Sequence, residues 1–131
     1  MRKEAMKRID IQIPIYNWDI TIVTIYNKDD EYPIKKLLNE FEIIDDEAID
    51  NVINERYNGG ETYVNAGSRK AVLLIYKYDS INTFHNIINH EKRHLIDRIG
   101  DIHLIRYEKE AIAYLDGYVS EQIYSNLDKL I

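Results

Sequence analysis

The sequence predicts an α+β fold, and three observations predict it. A period-two, β-branched stretch opens the chain, a continuous apolar run lies past its middle, and two long helical patterns close it. The order is thus strands and small helices, then a core strand, then two long helices. No linker, repeat or low-complexity segment interrupts the 131 residues, so one domain, 1–131, is expected.

The first strand is read from Ile9 to Tyr16: Ile9, Ile11, Ile13 and Ile15 face one way, Asp10, Gln12 and Pro14 the other. Pro14 cannot donate to a ladder, which puts this strand at an edge or bulges it there. Asn17-Trp18-Asp19 reads as a turn and Ile20 to Tyr26 as the second strand of a hairpin. Pro33 fits the first turn of a helix whose apolar positions are Ile34, Leu37, Leu38 and Phe41. Asp45, Asp46 and Glu47 then put negative charge at the start of another helix, which Asn58-Gly59-Gly60 ends. Glu61 to Ala66 is a short strand, Gly67-Ser68-Arg69 a turn, and Ala71 to Tyr78 a buried strand. Asp79 or Ser80 caps a long helix that stops at Gly100, and Asp101 to Arg106 leads to a last helix from about Tyr107.

Composition narrows the function classes. A net charge of -6 gives a nucleic-acid partner no electrostatic support, and no apolar run reaches the ~20 residues that span a bilayer. The basic opening, Met1 to Arg8, is followed by no signal-like apolar core, so an intracellular, cytoplasmic protein of a bacterium or a phage-infected cell is expected. With no cysteine, any zinc must be held by histidine and carboxylate.

The long helix carries His90-Glu91-Lys92-Arg93-His94, an HExxH match. Histidines four apart lie on one helix face, where both imidazoles can reach one zinc ion while the glutamate acts as general base on its water. With His90 at zero and about 100° per residue, His94 falls near 40° and Glu91 near 100°, between the apolar face of Phe84, Ile88, Leu95 and Ile99 and the polar face of Asn82, Asn86, Asn89 and Arg93. A metal at a cleft edge needs that margin. Lys92 falls beside the apolar residues, where peptidases with this motif usually carry an uncharged side chain. His85 is off the histidine face and reads as structural. Asp97, on that face, can orient His94 or pair with Arg93.

Catalytic zinc takes three protein ligands and a water. The extended histidine motif fails, because Gly100 stands where a third histidine is needed and Asp97 where a small residue is needed. A glutamate from the last helix is the alternative. Glu110 shares its face with the small residues Ala113 and Gly117, which permit close helix approach, whereas Glu108 falls among apolar positions. Glu110 is therefore favoured, with Glu108 and His103 as lesser options. Tyr114, one turn from Glu110, can stabilise an oxyanion or simply pack.

The pattern His90-Glu91-x-x-His94-x-x-Asp97, then Glu110-Ala111-x-Ala113-Tyr114, resembles the small zincin-like putative metallopeptidases of phage and prophage genomes, as does Ile13-Pro14-Ile15-Tyr16 before a β-branched run. The resemblance implies a minimal zincin-like fold, a small mixed sheet packed on the HExxH helix and a following C-terminal helix. It implies zinc held by His90, His94 and Glu110, and Glu91 as the base of amide hydrolysis in a peptide or protein substrate. Substrate is expected along an exposed strand, Ala71 to Tyr78. The alternative is a non-enzymatic phage or mobile-element adaptor or assembly protein that keeps the fold.

Overall fold

The computed structural model describes residues 6–43 and 46–131; the basic Met1 to Ala5 and the helix-start residue Asp45 lie outside them. Strands β1 (Lys7–Ile13) and β2 (Trp18–Thr24) form an antiparallel hairpin with Ile11 opposite Ile20 and Ile13 opposite Trp18. The turn lies at Pro14 to Asn17, not at Asn17 to Asp19. Tyr16 and Asn17 take left-handed φ of 65° and 56°, and the Asn17 amide donates to the Pro14 carbonyl at 3.2 Å. Ile13 pairs with Trp18, so the connecting loop is four residues long, and its last two residues supply the left-handed backbone that turns the chain into β2. It leaves Ile15 exposed, against the predicted alternation, and puts Trp18 into β2, fully buried.

Two further helices follow, α1 (Glu31–Glu40) and α2 (Asp46–Ile53). The chain then makes β3 (Gly60–Asn65) and β4 (Lys70–Ile75), an antiparallel pair. β4 joins β2 in parallel, so the sheet runs β1-β2-β4-β3 and is mixed. The edges are β1 and β3; Pro14, read from the sequence as a strand position, lies in the turn after β1. The run from Ala71 to Ile75 is interior, and helices on both sides of the sheet bury its side chains on both faces.

One face of the sheet presents Ile9, Ile11, Ile13, Trp18, Ile20, Ile22 and Leu73 to α3 (Ile81–Ile102) and α4 (Lys109–Ser125). The other presents Val23, Val72, Leu74 and Tyr76 to α1 and α2. Each fully buried aliphatic side chain is worth about 1.5–3 kcal/mol over leaving it in water, which fixes α3 across the sheet. Ser80 caps α3, its hydroxyl accepting from the Thr83 amide. Gly100 does not end the helix, which runs two residues on. A Cβ there would lie 2.9 Å from Ile112 Cδ1, so this glycine serves the close approach of α4. The reversal falls to Leu104, at a left-handed φ of 58°. Among the described residues no helix is long and apolar enough to cross a membrane.

Candidate metal centre

His90 and His94 project one turn apart from the middle of α3, both exposed, with Glu91 buried between them and the sheet. Their Nε2 atoms are 3.0 Å apart and their rings meet edge to face at 4.6 Å. Two imidazoles on one tetrahedral zinc, each at about 2.05 Å, would hold their nitrogens about 3.3 Å apart. The pair thus needs a shift of only a few tenths of an ångström. Glu91 joins them, with ligand atoms of all three residues within 4.8 Å of one another, the one such histidine–carboxylate group among the described residues.

Glu91 is 4% exposed, and burying a carboxylate demands a donor. Thr62, on β3, supplies it. Its hydroxyl lies 3.2 Å from Glu91 Oε1 and 3.1 Å from the Glu91 carbonyl oxygen, so one rotatable proton serves both acceptors. Gly60 makes the approach possible, since a Cβ there would stand 2.8 Å from Glu91 Cγ and from the Leu74 carbonyl oxygen. An open cleft of about 270 Å³ adjoins, lined by Arg56, Asn58, Gly59, Gly60, Asn86, Ile87, His90 and Glu91.

The motif's charged middle pair has a structural explanation. Lys92 reaches α4, donating to Ser120 Oγ at 2.8 Å and pairing with Asp116 at 3.2 Å. Arg93 pairs with Asp97 at 3.2 Å, the ion pair that is one of the two roles read for Asp97. His85 lies edge-on to Phe84 and stacks on Tyr124, a packing role. His103 accepts the Trp18 indole N–H on Nε2 at 2.8 Å and stacks on Tyr16 at 4.1 Å, at the far end of α3 from the pair.

Glu110 and Tyr114 do not meet the histidines. α4 meets α3 through Asn89 (bonded by Tyr124), Lys92 and Gly100. Those positions lie about 200–280° round the helix from His90, so α4 covers the side away from the pair. Glu110 is exposed in the first turn of α4, where the helices meet near Gly100, about 9 Å of helix beyond His94. Tyr114 is 72% exposed, and Glu108, also exposed, precedes the helix. The wheel finds the core face of α4, where Leu115 and Val119 are buried, but the small-residue face of Ala113 and Gly117 expected to meet another helix is exposed, with nothing within 4 Å of a Cβ on Gly117.

Sequence reasoning missed Thr62, Arg56 and the use of Gly59-Gly60. The double glycine was the available signal, read only as a helix stop. Neither glycine has a positive φ, so both serve close approach. No family model, no curated protein and no solved structure matches this chain.

Proposed function

We propose that this chain is a zinc-dependent hydrolase of the metallopeptidase kind, acting in the cytoplasm of a bacterial or phage-infected cell. The observation that carries the reading is the convergence of the His90 and His94 Nε2 atoms, 3.0 Å apart, beside a buried carboxylate at the edge of an open cleft. Zinc, when bound, supplies Lewis acidity toward a carbonyl oxygen and lowers the pKa of its water to about 7. His90 and His94 hold the ion as neutral imidazoles. Glu91 takes the proton of the attacking water and returns it to the departing amine. Thr62 fixes the carboxylate, its hydroxyl turning to the Glu91 carbonyl oxygen when the carboxyl carries the proton.

Substrate placement moves from β4, which is interior, to β3. The Tyr76 amide donates to the Gly59 carbonyl at 2.8 Å. Glu61, Tyr63 and Asn65 therefore bond to β4, while Gly60, Thr62 and Val64 turn their N–H and C=O groups to the open side. A peptide added there as a fifth strand would pass the cleft that His90 and Glu91 line.

The test is zinc binding and peptide-library cleavage by wild type, His90→Ala and Glu91→Gln. Wild type cleaves, His90→Ala loses zinc, and Glu91→Gln keeps zinc but loses cleavage by about a hundredfold or more. Equal residual cleavage by wild type and Glu91→Gln sinks the reading. One observation favours the second reading, a non-enzymatic adaptor. With Glu110 and Tyr114 turned away, histidine supplies only two protein ligands. Zinc retention with no cleavage of any peptide, together with a stable complex with a virion protein, would select it.

A further inference from the structure

The cleft beside His90 and Glu91 has a second charged wall. Arg56 follows α2 and lies over the Gly59 backbone. A Cβ on Gly59 would stand 2.9 Å from both Nε and Nη2 of this arginine, so only glycine lets the guanidinium settle there. Its other side is anchored. Nη1 donates to Glu61 Oε1 at 3.1 Å, and the guanidinium carbon sits 5.2 Å from the centroid of the buried Tyr76 ring. Glu61 also accepts from Asn51 at 2.7 Å, Tyr63 at 2.6 Å and Tyr76 at 2.7 Å. Glu61 is thus fully engaged and holds Arg56 through Nη1 alone. The arginine side chain is 40% exposed, and among the described residues no side chain accepts from Nε or Nη2.

Gly59 and Gly60 together form a floor without side chains, running from the guanidinium to Glu91. At about 270 Å³ the cleft falls just below the usual range of small-molecule sites, about 300–1,000 Å³. It suits one or two residues of a peptide. Two free, parallel N–H donors on an anchored guanidinium match the two oxygens of a carboxylate. We propose that Arg56 binds a carboxylate of the peptide that occupies this cleft and so selects the substrate. The inference rests on the peptide-hydrolase reading of the same site. The carboxylate is either an acidic side chain or the α-carboxylate of a peptide C-terminus; the second would make the enzyme act near chain ends.

The test uses the full chain kept metal-free with a chelator, so that binding is read without turnover. Three alanine-based pentapeptides are titrated, following the amides of Gly59 and Gly60 by NMR: one with an internal glutamate and an amidated end, one with no acid and a free C-terminus, one with neither. Wild type should bind one of the first two at least about tenfold more tightly than the third, and which one identifies the source. Arg56→Gln should bind all three alike. Arg56→Lys keeps the charge facing Glu61 and should retain part of the preference. Gly59→Ala displaces the guanidinium without altering its charge and should lose the preference. Equal binding of all three peptides by wild type, no binding of any, or a preference that survives in Arg56→Gln overturns the proposal. Carboxylate-selective binding without cleavage under zinc defeats the hydrolase reading alone, and cleavage indifferent to carboxylates defeats the Arg56 assignment alone.

Discussion

At the scale of the residue, the motif's glutamate depends on a side chain far from it in sequence. Thr62 is the sole side-chain donor to buried Glu91 among the bonds of the described residues. Replacing the hydroxyl by a methyl, Thr62→Val, leaves shape intact and orphans a buried carboxylate oxygen. A loss of about 1–3 kcal/mol in stability is expected and, on the proposed hydrolase reading, turnover falls more than KM changes. Thr62→Ser should restore most of both; chemical denaturation and steady-state kinetics on the three proteins check it. Gly60→Ala is expected to destabilise as well, because its Cβ meets the Leu74 carbonyl oxygen, a backbone atom that cannot move aside. An overpacking cost of about 1–3 kcal/mol follows, read as a drop in denaturant midpoint. Neither effect was legible in the sequence. Alternation places Thr62 on a strand face, but the partner of that face is set by where α3 lands.

At the scale of the element, Lys92 is the informative departure. In the sequence it is a charge on a nearly apolar helix face. In the fold it is half-buried between α3 and α4, joined to Asp116 and Ser120. The bond joins α4 to the side of α3 that the histidines do not use. A double-mutant cycle of Lys92→Met and Asp116→Asn should give a coupling of about 0.5–1 kcal/mol that shrinks in high salt. A coupling indistinguishable from zero would leave apolar contact alone to dock α4. The two long helices and the burial of Ala71 to Ile75 were readable from period and composition, and the cap was narrowed to Asp79 or Ser80, of which the structure uses Ser80. The hairpin turn was misplaced by three residues, because the left-handed φ of Tyr16 carries no sequence signal as strong as glycine.

At the scale of the whole molecule, β2 is tied to the far end of α3 by Trp18 and His103, 85 residues apart. The indole N–H is buried with Trp18 and needs an acceptor, so His103 must keep Nε2 unprotonated. Burial, and secondarily the Arg69 charge, push the His103 pKa below its ordinary value of 6.5. In the unfolded chain the imidazole takes its proton near that value, while the folded protein stays neutral to lower pH. The unfolded state therefore binds more protons in that interval. Stability is complete above about 6.5, falls as pH drops through it, and flattens once the folded imidazole is also charged. Thermal melts from pH 8 to 5, followed through the single tryptophan, should show this slope in wild type and a shallower one in His103→Gln. Parallel slopes would remove His103 from the acid response.

By itself the sequence determined the α+β class, the length and faces of the motif helix, and the placing of His90, Glu91 and His94 together, because an i, i+4 pair on one helix needs no tertiary information. Only the tertiary structure decided which side of that helix each neighbour would cover. Burial of the Phe84, Leu95 and Ile99 face against the sheet brought Thr62 to Glu91 and Arg56 to the cleft. The same packing put α4 on the Lys92 side, and with it Glu110 and Tyr114 away from the histidines. Helical period fixes angles within one element; the relative placing of two elements is set by the apolar area they bury together, which no local pattern encodes.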